Sequence, residues 1–300
     1  MSFVAGWDGG GSKTTVLCLD EQEGGLLRTQ VGPLNPNGTD EADIRASIRS
    51  ALLEMERLPG GLEACRALVI GAAGISNPHV KDLLESLVRQ EGYAGRLLIA
   101  GDHEILLEGA VGKAGAVLIA GTGSICIGRN AAGGSRRAGG LGYLIGDEGS
   151  GYWIGLAMLR AAAKALDGRG QPTLLTKTVL DALYCRTLQE LTASVYGGSL
   201  AKAEIAALAK LLSPALRQKD AVALEIAQAA AEELYQLAKA VLVPLGLEKE
   251  RLALAGGLMS FTSPLKALLE AKLKEHYPDL TLTEPEKDAA QGAAMMALNL

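Results

Sequence analysis

The sequence predicts an α/β protein of two related lobes, each a mixed sheet flanked by helices. Three observations lead there. At 300 residues the chain is long for one core and comfortable for two. Short apolar runs rich in β-branched residues alternate with helical patterns, which describes sheets covered on both faces. A turn of glycines and hydroxyls between two apolar runs occurs twice, at corresponding places in the two halves.

The first of these turns is Asp8-Gly9-Gly10-Gly11-Ser12-Lys13-Thr14-Thr15, between Phe3-Val4-Ala5-Gly6-Trp7 and Val16-Leu17-Cys18-Leu19. Both flanking runs read as strands, so the glycines form a hairpin turn rather than a strand-to-helix turn. A Walker loop requires Gly-x-x-x-x-Gly-Lys-Ser/Thr and then a helix, whereas here Ser12 stands where the lysine belongs. A dinucleotide fingerprint also opens a helix, and no helical pattern follows Thr15. Three consecutive residues without Cβ atoms allow the backbone N–H groups to close on an anion, with hydroxyls and the Lys13 amine beside them. The second turn is Gly121-Thr122-Gly123-Ser124, between Ala116-Val117-Leu118-Ile119-Ala120 and Ile125-Cys126-Ile127. Two such hairpins suit two lobes gripping one polyphosphate.

The remaining elements follow in order. Residues 26–31 form a third strand, and the loop 32–38 presents Asn35 between Pro33 and Pro36. Thr39 is expected to cap a helix whose apolar face carries Ile44, Ile48, Leu52 and Met55. Strands at 67–71 and 96–100 enclose a helix opened by Asn77-Pro78. Asp102 stands at the carboxyl end of the second of these strands, where a helical pattern begins. As an N-cap it would be unremarkable chemistry, but ligands of open α/β sheets sit at such strand ends, and an aspartate there can take a proton from an alcohol. Past the second hairpin, Arg136-Arg137 is flanked by glycines and is predicted as loop. Residues 139–151 carry a density of glycines, with Asp147 and Glu148 at the centre, that lets backbone approach a ligand closely. A helix then runs to about residue 165, followed by an almost wholly helical region at 171–246 in which no catalytic constellation is evident. A strand at 251–255 leads into Gly256-Gly257, a turn flat enough for a nucleobase or ribose. A short strand at 280–283 and a closing helix rich in small residues complete the chain.

Composition excludes several classes. A net charge of −5 argues against a nucleic-acid surface. No apolar run reaches the roughly 20 residues of a membrane span, and no signal-peptide pattern opens the chain. Cys18, Cys65, Cys126 and Cys185 are scattered without a Cys-x-x-Cys pair, so free thiols in a reducing cytosol are expected, and a cytoplasmic location with them.

Taken together, these motifs resemble the N-acetylglucosamine kinase family, of the BadF/BadG/BcrA/BcrD ATPase type, within the sugar kinase, actin and heat-shock chaperone superfamily. The resemblance covers nearly the whole chain. Residues 8–14 are similar to the first phosphate motif, residues 121–124 to the second, and Leu254-Ala255-Gly256-Gly257 to the adenosine motif. Gly146-Asp147-Glu148-Gly149-Ser150 is the most family-specific element. The resemblance implies two actin-like (ribonuclease H-like) lobes, residues 1–113 rejoined by the helix 288–300, and residues 114–287, with ATP and sugar in the cleft between them. It implies Asp102 as the catalytic base. Asn35, Asp102, Gly140, Leu141, Gly142 and Asp147 are then sugar-side residues, and the two glycine turns, Ser124 and Gly256-Gly257 nucleotide-side residues. Asp8 falls where a carboxylate helps hold Mg²⁺ through water. The implied reaction is ATP-dependent phosphorylation of an amino sugar at its 6-hydroxyl by a homodimer that closes on its substrate. Animal members carry a tryptophan where this chain has Leu141, which leaves N-acetylglucosamine, N-acetylmuramic acid and glucosamine all open as substrates. The alternative is an ATPase activator of 2-hydroxyacyl-CoA dehydratase or benzoyl-CoA reductase. Those proteins share a Cys-Ala-Ala-Gly-Thr-Gly segment, where this chain has Leu118-Ile119-Ala120 before Gly121.

Overall fold

The computed structural model describes all residues except Met1, Glu23, Asn37, Ala73, Ser76, Gly198, Ser199, Phe261 and Thr262; Asn37, in the predicted loop 32–38, therefore lies outside the described residues. The chain divides into two compact units, one of Met1–Lys113 with Pro285–Leu300 and one of Ala114–Glu284.

In the first unit, strands β1 (Phe3–Gly9), β2 (Thr14–Asp20) and β3 (Gly25–Val31) form an antiparallel meander. Strands β4 (Cys65–Ala72) and β5 (Arg96–Gly101) then add in parallel on the other side of β1, giving the order β3-β2-β1-β4-β5. Parallel strands need crossover helices, supplied by α1 (Glu41–Glu56) and α2 (Pro78–Gln90). These two bury Ile44, Ile48, Leu52, Leu84 and Leu87 against one face of the sheet. Asp40, not Thr39, caps α1: its carboxylate accepts from Asp43 N at 2.8 Å. Aspartate is the stronger cap of the two, and Thr39 lies one residue outside.

The opposite face is covered by α3 (Asp102–Val111) and α11 (Ala289–Leu298), through Ile105, Ala290, Ala293, Ala294 and Ala297. The approach is close enough to require glycine twice. A Cβ on Gly6 would overlap the Ala294 amide, and a Cβ on Gly292 would overlap the Ile105 carbonyl. Asp288 caps α11, accepting from Gln291 N at 2.9 Å.

The second unit repeats the topology. Strands β6 (Gly115–Ala120), β7 (Ser124–Arg129) and β8 (Ser135–Gly139) are antiparallel, and β9 (Arg251–Ala255) and β10 (Thr281–Thr283) add in parallel, in the order β10-β9-β6-β7-β8. Strand β8 corrects the loop predicted for Arg136-Arg137. It is an edge strand whose charged side chains are exposed, and such edges tolerate charge that a central strand would not. Helix α9 (Ala221–Leu245) lies on this sheet with α10 (Pro264–His276), burying Ala116, Leu118, Cys126, Leu234 and Leu242 with the sheet residues. Between α4 (Gly151–Leu166) and α9 come α5 (Leu174–Ala182), α6 (Leu188–Tyr196), α7 (Lys202–Ala207), a 3-10 turn (Leu208–Leu211) and α8 (Leu212–Arg217). This helical insertion has no counterpart in the first unit.

All four cysteines are free and buried. Burial pushes the Cys18 thiol up to about 12 and the Cys65 thiol up to about 11.

In an ordinary helix interior Gly→Ala stabilises. At position 292 it should instead destabilise by about 1–3 kcal/mol, the usual range for overpacking, measurable as a lowered urea midpoint. A raised midpoint would show that α11 does not dock this tightly.

Candidate active site

In the first unit the register brings the carboxyl ends of the parallel strands level. Gly9 pairs with Ala72, and Ala72 with Gly101. Asp8 and Asp102 thus stand at the ends of β1 and β5 with β4 between them, roughly 10 Å apart by two strand spacings. The turn after β1 closes through Gly10 N to Lys13 O at 3.1 Å, leaving Gly11, Ser12 and Lys13 exposed. Leu34 N donates to Gly10 O at 3.2 Å, which brings the following residue, Asn35, alongside Gly11.

Asp102 is not the helix cap. Gly101 occupies that position, its N–H donating to Glu104 Oε2 at 2.9 Å, and Asp102 is the first residue of α3. Its side chain is 53% exposed, its Oδ1 accepts from His103 N at 2.8 Å, and His103 Nδ1 lies 3.3 Å from the same oxygen. The helix dipole favours a carboxylate at this terminus. Asp8 differs. Burial, and after it the charges of Asp102 and Asp288, holds its carboxyl above the usual carboxylate range.

In the second unit the turn between β6 and β7 closes through Gly121 N to Gly123 O at 2.9 Å. The start of α4 is fastened to it, since Gly151 N donates to Gly121 O at 2.8 Å and Tyr152 N to Thr122 O at 3.2 Å. The glycine-dense loop is held to the same turn. Asp147, only 5% exposed and at φ 60°, accepts from Ser124 N through Oδ1 at 3.2 Å. Ser124 Oγ donates to Glu148 O at 2.6 Å, and Gly140 N to Ser124 O at 2.8 Å. Gly140 and Gly142 both take positive φ, leaving the Leu141 side chain exposed between them. Gly256, at φ 94°, passes so close to Ala120 that a Cβ would strike its carbonyl. Gly257 follows as the start of a 3-10 turn.

The helical insertion, in which the sequence showed no constellation, reaches this site twice. Lys202 Nζ lies 3.2 Å from Asp147 Oδ2 and 5.0 Å from the centre of the Tyr143 ring. Residues Ala203, Ala206, Ala207 and Lys210 wall a cavity of about 270 Å³ whose other side is Gly121, Thr122, Gly151 and Gly257. No spacing rule connects residues 202–210 to residues 121–147, so only tertiary structure reveals these contacts. A larger cavity of about 440 Å³, beside Trp153, Arg160 and Lys164, touches none of the motif residues.

A doubled unit of meander and parallel crossovers, with a glycine-and-hydroxyl hairpin in each copy, is the architecture of the actin-like sugar kinases. The chain belongs to the BadF/BadG/BcrA/BcrD ATPase family, which matches residues 5–297, and the use of ATP comes with that membership. It is 36% identical to an N-acetylmuramic acid/N-acetylglucosamine kinase of Clostridium acetobutylicum, over 99% of this chain and 98% of the relative. It is 32% identical to an N-acetyl-D-glucosamine kinase of Dictyostelium discoideum, over 98% and 97%. A crystal structure from Chromobacterium violaceum, of a protein proposed to be an N-acetylglucosamine kinase, superposes with a TM-score of 0.76 at 29% identity, covering 99% of each chain. A ROK-family glucokinase of Streptomyces griseus, solved with glucose and AMPPNP, shares the fold at a TM-score of 0.53 and 17% identity, over 100% of each chain.

The raised Asp8 pKa carries a stability signature. Below the ordinary value of 3.8 the group is protonated folded and unfolded alike and costs nothing. As pH rises through the folded value, ionisation against burial and like charge lowers stability. Asp8→Asn should therefore melt with the wild type near pH 3.5 and above it at pH 7, the gap opening between. A gap that stays flat across that range would remove the electrostatic account.

Proposed function

We propose that the protein is an ATP-dependent amino-sugar kinase that transfers the γ-phosphoryl group to the 6-hydroxyl of N-acetylglucosamine or N-acetylmuramic acid, in amino-sugar salvage or cell-wall recycling. What carries the reading is Asp102: a half-exposed carboxylate at a strand's carboxyl end, relieved of the capping role by Gly101, in a chain whose full-length relatives are kinases of these sugars. The absence of a cysteine from Leu118-Ile119-Ala120 leaves the activator reading without its metal ligand.

In this mechanism the second unit's turn, Gly121 to Ser124, and the first unit's turn, Gly9 to Lys13, each offer N–H groups and hydroxyls to the phosphates. Asn35, Asp102 and the Gly140-Leu141-Gly142 backbone orient the sugar, and the buried Asp147 holds that loop to the phosphate turn through Ser124. Asp102 takes the hydroxyl proton as that oxygen bonds to the γ-phosphorus, the bond to the bridging oxygen breaks, and ADP leaves. The residues fit a magnesium ion. Burial, then Asp102 and, behind it, Asp288, itself paired with Arg28, disfavour the ionised form of Asp8, which a cation there would favour. When bound, magnesium would neutralise charge developing on the phosphates.

Two measurements test the proposal. ADP release should rise above background with N-acetylglucosamine or N-acetylmuramic acid, and a flat response to every amino sugar would end the kinase reading. Asp102→Asn keeps shape and hydrogen-bonding capacity, so kcat should fall about 10²–10⁴-fold with a modest change in KM. A variant retaining half of the wild-type kcat would take Asp102 out of the base role.

A further inference from the structure

The cavity between the second phosphate turn and the helical insertion continues into a neighbouring one of about 210 Å³, and the two share Lys210, Gly257 and Leu258. Their linings differ in chemistry. The first has the backbone of Gly121 and Thr122 and the start of α4. The second is lined by apolar side chains such as Ile154, Leu216 and Leu265, with the hydroxyl residues Ser213, Ser260 and Ser263 at its edge. A phosphate chain suits the first, and a flat base with a ribose suits the second.

Among the described residues Lys210 is the only charged one lining either cavity, and no ion pair of its ammonium is found among them. It lies in the 3-10 turn Leu208–Leu211, where Leu208, Ala209 and the following Leu212 are buried in the core of the unit. That packing fixes the turn and leaves the lysine at the junction of the two cavities. The rest of the phosphate turn offers only N–H groups and hydroxyls, all uncharged.

We propose that Lys210 is a nucleotide-binding residue that pairs its ammonium with the phosphate chain of ATP and ADP close to the ribose. The helical insertion thus supplies the second unit's phosphate site with its positive charge. This deepens the kinase reading and rests on it for the identity of the nucleotide. An ammonium acts on phosphate as a point charge, so Arg can replace it in part and Met, which keeps the stem, cannot.

The test is calorimetric binding of ADP and adenosine to the full chain and to Lys210→Met and Lys210→Arg, with ATP and sugar KM values alongside. For Lys210→Met the ADP affinity should fall about tenfold to a hundredfold, the range for a hydrogen bond to a charged group. Adenosine affinity should change less than twofold, KM for ATP should rise, and sugar KM should hold. Added salt should weaken ADP binding less in this variant than in the wild type. Lys210→Arg should keep ADP affinity within about fivefold. ADP binding unchanged in Lys210→Met, an equal loss for adenosine and ADP, or an arginine variant as weak as the methionine one would each overturn the proposal. If wild-type protein binds ADP through Lys210 but phosphorylates no sugar, the kinase reading fails and the Lys210 assignment stands.

Discussion

The second unit's site depends on the burial of one carboxylate. Asp147 is all but removed from solvent, and an unpaired charge there would cost several kcal/mol. Its two oxygens are satisfied from opposite directions, by the Ser124 amide in the phosphate turn and by the Lys202 ammonium in the insertion. The pair therefore couples three segments distant in sequence: the turn that would face phosphate, the loop that would face sugar, and the helices behind them. It also explains a positive φ at a non-glycine residue, a conformation costing about 1–3 kcal/mol that persists only where surroundings over-determine it.

The first unit handles charge in the opposite way. Burial, and after it the neighbouring Asp102 and Asp288, disfavour the ionised form of Asp8. One carboxylate is thus paired with a lysine of its own unit, while Asp8 is pushed toward its neutral form even though Arg28 pairs with the neighbouring Asp288. In the proposed reaction, a divalent cation arriving with the nucleotide would offset that cost.

The fold was legible in the sequence because its signals are local. Glycine and hydroxyl turns between apolar runs gave both hairpins, and alternation of strand and helix patterns gave the sheets. What failed, failed for identifiable reasons. The Arg136-Arg137 pair hid an edge strand, since two adjacent exposed arginines leave no hydrophobic alternation to read. Capping at Thr39 was displaced by one residue, because adjacent residues of similar propensity compete and backbone geometry decides. The turn residues of the candidate site were visible as motifs. Lys202 and Lys210 were not, since a lysine in an alanine-rich helical stretch carries no local mark of what it will face.

The docking of α11 on the first unit has a consequence for biosynthesis. Val4, Leu17, Val69 and Ala100 lie on the sheet face that α11 covers, yet α11 is made after the whole second unit. During translation the second unit, continuous from residue 114 to 284, can close its own core while the first waits with an apolar face open to solvent. The order of synthesis thereby inverts the order of folding, and the segment made first is among the last to be finished.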